Sequence, residues 1–179
     1  FEPIDDLWAA EGLDKEMAAV QPTMTRNGKI WGVPYSYYQW GIYYRKDIYD
    51  TLGLSEPKTW DDLLANCDKM KSNGVTPFTI GTKYLWTAAG VFDYLNLRTN
   101  GYDVHNALTA GEIKYTDPRI KATFANWSTM LDRCSFVDNH ASMSWQDAIA
   151  PFANGDAAMY VMGNFSVDGY KNAGLTEDQ

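Results

Sequence analysis

The chain has 179 residues, the length of one domain or of most of two small lobes. Its 45% hydrophobic and 21% charged residues suit a packed core and exclude disorder, and no apolar run reaches the length of a membrane span. A formal net charge of -8 argues against nucleic acid and anionic lipid as partners, because both need a basic surface.

Along the chain, Ile4, Leu7, Trp8, Leu13, Met17 and Val20 have helical spacing, interrupted around Gly12, and Asp5 or Asp6 is expected to cap the first turn. Asn27-Gly28 predicts a tight turn, since both residues tolerate positive φ. Lys29 to Tyr35 then reads as a strand, and Tyr37 to Tyr44 as a second extended segment. Lys46 to Leu52 reads as a short helix stopped by Gly53. Thr59 is a good N-cap, with Asp61 and Asp62 opposing the positive helix end, for a helix that runs to about Ser72 and stops at Asn73-Gly74. Phe78-Thr79-Ile80 reads as a short strand and residues 85 to 99 as a helix stopped by Gly101.

Asp117-Pro118 starts another helix, running to about Arg133 and expected to bury Phe124, Trp127 and Leu131. Ser142 or Ser144 begins the next, through Trp145, Ala148, Ile149 and Phe152, ended by Asn154-Gly155. Ala157 to Met162 is nearly all apolar, as in a strand buried on both faces. Strands alternate with helices, so the class is α/β.

Little in the chain supports catalysis. It has only His105 and His140, no G-x-S-x-G elbow, no Walker loop and no metal-ligand spacing, so no cofactor or metal is expected. The adjacent carboxylates Asp5-Asp6 and Asp61-Asp62 sit at helix starts, where capping accounts for them, and Glu177-Asp178 is expected to be solvated. Cys67 and Cys134 could form a disulfide in an oxidising compartment or stay as buried thiols.

The distinctive feature is aromatic. Tyr35, Tyr37, Tyr38, Gln39, Trp40, Tyr43 and Tyr44 crowd ten positions, where an ordinary buried strand would favour Val and Ile. Flat rings with a polar rim suit a sugar, whose C–H face stacks while its hydroxyls take hydrogen bonds. Strand alternation puts Tyr38, Trp40 and Ile42 on one face and Tyr37, Gln39 and Gly41 on the other.

The segment Asn27-Gly28-Lys29-Ile30-Trp31-Gly32-Val33-Pro34-Tyr35 resembles one found in the sugar-binding proteins of bacterial ABC importers. Four more follow in the same order: Tyr43-Tyr44-Arg45-Lys46-Asp47, Pro57-Lys58-Thr59-Trp60-Asp61-Asp62-Leu63, Gly74-Val75-Thr76-Pro77-Phe78 and Phe152-Ala153-Asn154-Gly155-Asp156-Ala157-Ala158-Met159. Together they span most of the chain and are similar to family 1 of the extracellular solute-binding proteins, which includes maltose-binding protein. The resemblance implies a two-lobed, type II periplasmic-binding-protein fold with ligand in the cleft between lobes. It implies that this chain is a central fragment: residues 1–34 in the first lobe, 35–44 an interlobe crossing segment, and 45–179 an incomplete second lobe.

Carried over by position, the resemblance makes Tyr37, Tyr38, Gln39, Trp40, Tyr84, Trp86, Asn164 and Phe165 ligand-binding residues, Phe165 standing where many members have Trp. Asp93 could reach a sugar hydroxyl through a charge-assisted bond, whereas Arg98 reads as an exposed helix residue. The implied function is capture of a sugar or oligosaccharide by a monomer for the membrane subunits of an ABC importer. The implied location is the periplasm or the cell exterior, free or lipid-anchored. Two rivals stand beside it: a glycosidase using Asp93 and a second acid, and a sensory or adhesive sugar-binding module.

Overall fold

A computed structural model describes residues 1–176 and 178–179, so the expectation for Glu177 lies outside the described residues. The chain divides into two compact units, Phe1–Tyr38 and Gln39–Gln179.

The first unit holds three short helices, α1 (Asp5–Ala10), α2 (Leu13–Glu16) and α3 (Gln21–Met24), and a hairpin of β1 (Thr25–Arg26) and β2 (Lys29–Ile30). Gly12 at φ +67° separates α1 from α2, as its position in the periodic stretch suggested. Asn27 and Gly28, both at positive φ, make the hairpin turn. Trp8 is fully buried and its Nε1–H donates to the Gly32 carbonyl at 3.1 Å. Two expectations need correction here. Neither Asp5 nor Asp6 caps α1: both lie inside its first turn, after an N-cap position held by Ile4. The strand expected over Lys29 to Tyr35 stops at Ile30, and no regular structure resumes until Trp40. The Trp31 N–H still reaches the Met24 carbonyl at 3.0 Å, but Pro34 lacks an N–H with which to extend a ladder.

The second unit is α/β. In chain order it runs β3 (Trp40–Tyr44), α4 (Lys46–Leu52), α5 (Trp60–Ser72), β4 (Thr76–Thr79), α6 (Trp86–Asn100), α7 (Tyr102–Thr109), α8 (Pro118–Arg133), α9 (Ile149–Asn154), β5 (Ala157–Gly163) and α10 (Val167–Asn172). Its sheet has the order β3-β5-β4, with β5 parallel to β4 and antiparallel to β3. Every residue of β5 is buried. Met159 and Val161 enter one core with Leu64, Met70, Phe78 and Val91 under α4, α5, α6 and α8. Tyr160 and Met162 enter the other, with Ile149, Phe152 and Tyr170 under α9 and α10.

Local chemistry explains several of the helix ends. Thr59 and Asp62 form a reciprocal capping box at the start of α5. Asp117 accepts from the Arg119 N–H at the start of α8, with Pro118 in the first turn. Gly53 and Gly155 end α4 and α9 in the left-handed conformation. Arg45, 6% exposed, joins the start of α4 to the end of α9. Its Nε and Nη2 donate to Asp47 at 2.9 and 2.6 Å, and its Nη1 to the carbonyls of Phe152 and Ala153 at 2.7 and 2.8 Å.

Burial on α8 departs from expectation. Ile120, Thr123 and Met130 are buried and Trp127 half-buried, whereas Phe124 and Leu131 are 44% and 56% exposed. The stripe facing α6 passes through residues 120, 123, 127 and 130, and residues 124 and 131 fall on its flank. Residues 145–148 form turns, so the helix expected from Ser142 or Ser144 begins later, at Ile149. Helices α7 and α10 had no counterpart in the sequence reading.

The cysteine question closes in favour of pairing. Cys67 on α5 and Cys134 at the end of α8 are both fully buried and disulfide-bonded, with Cα atoms 5.0 Å apart. The bond closes a loop across 67 positions of sequence. Replacing both cysteines by serine is expected to cost about 2–4 kcal/mol of unfolding free energy. The check is the urea midpoint of the variant against the oxidised protein; equal midpoints would show that the bond contributes nothing.

Acid should also weaken this unit. The Arg45 guanidinium beside Asp47 lowers its carboxyl from the usual 3.8. Hydrogen bonds from Thr59, Arg133 and Ser144 do the same for Asp62, Asp68 and Asp147, and Arg119 brings Asp117 down to about 2. A depressed carboxyl stabilises the fold fully above its unfolded pKa and stops doing so as pH falls through its folded one. Thermal midpoints are therefore expected to hold steady above about pH 5 and to drop between roughly pH 4 and 2. The effect is greatest at low salt, because most of these pairs are exposed.

Candidate ligand-binding site

The strand order brings three chain segments to one end of the second unit's sheet. Trp40 opens β3 and lies opposite Gly163, the last residue of β5. Thr79, at the end of β4, lies opposite Tyr160. The segments leaving β4 and β5 therefore emerge beside the start of β3. In open α/β sheets, ligands bind outside the carboxyl ends of parallel strands, which is this end.

Four rings gather there in a row. Trp40 and Trp86 meet edge to face, with centroids 6.2 Å apart and planes at 88°. Trp86 and Phe165 follow at 6.4 Å and 45°, then Phe165 and Trp145 at 5.4 Å and 88°. Trp86 and Phe165 are 39% and 38% exposed, and Trp40 and Trp145 are half-buried. In the two edge-to-face pairs and the tilted pair between them, each ring fixes the tilt of the next.

Each ring has a scaffold reason for its place. Gly90 on α6 lets the Trp40 indole lie against the helix, since a Cβ there would collide with Trp40 Cη2. Trp86 begins α6, and Leu85 before it takes the left-handed conformation at φ +63°, which costs an L residue about 1–2 kcal/mol. Such strain concentrates at functional sites, and here it sits between two exposed aromatic residues. The loop after β4 is held by Thr82 and Lys83, whose N–H groups donate to the His140 and Met143 carbonyls at 2.8 and 3.0 Å. Buried Thr87 also donates to the Gly81 carbonyl. Asn164 and Phe165 follow β5, and the Asn164 N–H extends the ladder by donating to the Gln39 carbonyl at 2.9 Å.

Of the residues expected from sequence, the structure brings together Gln39, Trp40, Trp86, Asn164 and Phe165. Tyr84 is exposed on the same loop as Trp86, with Lys83 Nζ 5.4 Å from its ring centre. Asp93 is exposed two helical turns along α6 from Trp86, and no ion pair joins it to a described residue. Tyr37 and Tyr38 belong to the first unit, where they are 86% and 50% exposed. Arg98 lies away from the ring row and lines a separate cavity of about 510 Å³ with Ile42, Tyr44, Trp60, Tyr94 and Met130. None of the expected binding residues lines that cavity.

The sequence reading missed Trp145. Its spacing with Ala148, Ile149 and Phe152 placed it in a helix. The only signal against that was Ser144 with Asp147 three residues on, a capping pattern that confines Trp145 to a turn. Ser144 N–H and Oγ both bond Asp147 Oδ2 at 2.8 Å, and the Asp147 N–H returns to Ser144 Oγ at 3.1 Å. No group of three or more metal-binding side chains occurs among the described residues, and no described helix is long and apolar enough to cross a membrane.

The profile of the family described as bacterial extracellular solute-binding protein matches residues 1–178. An uncharacterized ABC transporter extracellular-binding protein of Pyrococcus horikoshii is 32% identical over 174 residues, 96% of this chain and 39% of its own length. The crystal structure of the bacterial solute receptor AcbH, described as having an exclusive preference for β-D-galactopyranose, superposes with a TM-score of 0.80. It is 31% identical, over 94% of this chain and 43% of that one. A chitin oligosaccharide binding protein superposes at 0.83 with 26% identity, over 98% of this chain and 44% of its own. The chain thus spans about two-fifths of the length of these relatives.

The contact between Trp40 and α6 can be tested directly. Ala for Gly inside a helix ordinarily stabilises by about 1 kcal/mol. Gly90→Ala is expected to do the reverse, lowering the thermal midpoint and changing the near-ultraviolet circular dichroism of the Trp40–Trp86 pair. A raised midpoint with an unchanged spectrum would remove the indole from that helix face.

Proposed function

The chain belongs to the bacterial extracellular solute-binding proteins, and from that premise we propose that the protein of which it forms part captures a sugar or oligosaccharide outside the cytoplasm for an ABC importer. The observation that carries this reading is the row of Trp40, Trp86, Phe165 and Trp145 at the carboxyl ends of β4 and β5. Partly exposed aromatic faces offer dispersion contact to the C–H face of a pyranose, and the neighbouring amides of Gln39 and Asn164 offer donors and acceptors to its hydroxyls. Tyr37, Tyr38, Tyr84 and Asp93 are further proposed ligand contacts.

The sugar-binding relatives named above support the ligand class. The buried disulfide fits an oxidising compartment such as a periplasm or cell exterior. Binding in this reading makes and breaks no bond. A ligand favours the closed arrangement of a two-lobed protein by the additional contacts it makes there, and the membrane subunits of the importer read that arrangement. A glycosidase would need two carboxyl groups flanking the ligand. Asp147, which neighbours Trp145 in the turn, already accepts bonds from Ser144.

The test is calorimetric titration of the full-length protein with galactose, glucose, mannose, N-acetylglucosamine and chitooligosaccharides. At least one is expected to bind, with no hydrolysis product after prolonged incubation. Trp86→Ala is expected to weaken that binding about tenfold or more. Unchanged affinity in a folded variant would take Trp86 out of the site, and no binding by the wild type would end the carbohydrate reading.

A further inference from the structure

We propose that Trp145 is a specificity-determining residue of this site, its indole N–H supplying the directed hydrogen bond that the adjoining Phe165 face does not provide. The proposal rests on the carbohydrate reading above and adds to it the group that discriminates one sugar from another.

A phenyl ring gives a stacked sugar area but no direction. It holds epimers that present the same C–H face almost equally well. Discrimination comes from a positioned donor, because a site built to bond a hydroxyl is left with an unmet polar group when that hydroxyl is missing. Trp145 stands beside Phe165, edge to face at 5.4 Å and half-buried. Its Nε1–H donates to no described residue.

The mounting of Trp145 is the second observation. Its carbonyl accepts a 2.9 Å bond from the Tyr160 hydroxyl, and Tyr160 is fully buried on β5, where burial pushes its phenol pKa up and keeps the proton on. The Ala148 carbonyl accepts from buried Thr79 Oγ1 at 2.9 Å. Gly81 lets the Ser144 backbone lie directly on the strand exit, where a Cβ would collide with it. Both sheet strands that end at the site thus hold the turn carrying Trp145. A ring fixed before binding loses little freedom on binding, so its N–H can select by position.

The experiment uses the full-length protein, the tightest-binding sugar of the panel above and its monodeoxy analogues. Trp145→Phe, which keeps a ring but removes the N–H, is expected to weaken the parent sugar about tenfold. It should also abolish the wild type's preference for the parent over one deoxy analogue, with the thermal midpoint within a few degrees of wild type. Trp145→His, which restores a ring N–H, should regain part of that preference. In uniformly 15N-labelled wild type, the Trp145 indole resonance should shift on saturation with sugar and exchange more slowly with solvent. An unchanged set of preferences in Trp145→Phe overturns the proposal, as does an unmoved indole resonance should that variant fail to fold. If the wild type binds no sugar at all, the underlying reading fails and this proposal with it.

Discussion

The structure of the second unit follows from one constraint: β5 is buried at all seven positions, Ala157 to Gly163. A strand without solvent needs backbone partners on both edges and apolar cover on both faces, because an unpaired amide or carbonyl in the interior is costly. β3 and β4 supply the edges, while α4, α5, α6 and α8 cover one face and α9 and α10 the other. Arg45 secures the entry to this strand. It bonds the carbonyls ending α9, its own N–H donates to the Ala158 carbonyl at 2.9 Å, and Asp47 balances its charge. A guanidinium this buried is tolerated only because carboxylate and carbonyl oxygens surround it.

That sheet order has a functional consequence. With β5 between an antiparallel and a parallel neighbour, the start of β3 and the exits of β4 and β5 meet at one end. Four residues far apart in sequence, Trp40, Trp86, Trp145 and Phe165, become a row of rings there. Leaving such rings partly in water forgoes burial energy, about 25 cal/mol for each Å² kept exposed. The rigid core beneath supports that exposure, through Gly90 against Trp40, Tyr160 under Trp145, and the polar network of Asn96, Asn100 and Thr123 that ties α6 to α8.

Elements set by short-range chemistry were legible in the sequence. The capping box of Thr59 and Asp62, the Asp117-Pro118 start, the Gly53 and Gly155 stops and the Asn27-Gly28 turn all appear where the residues implied. Each involves hydrogen bonds or φ preferences spanning a few positions. The apolar run of β5 was legible for a similar reason, since only a doubly covered strand lacks a polar face. The family followed from the spacing of these same scaffold residues. Five of the nine expected site residues meet at the sheet end, because the resemblance marks where strands exit.

The sequence by itself determined the class of fold, the capped starts of α5 and α8, the glycine stops of α4 and α9 and the family, since these depend on neighbours along the chain. Tertiary structure decided what depends on neighbours in space. Two cysteines 67 positions apart could be thiols or a bridge until α5 met α8. Phe124 and Leu131 looked as buriable as Met130 until the packing of α6 chose its stripe. Trp145 read as part of a helix because apolar periodicity cannot tell a ring that faces the interior from one standing at the mouth of a sheet, and its contact with Phe165 beyond β5 exists only in the folded chain.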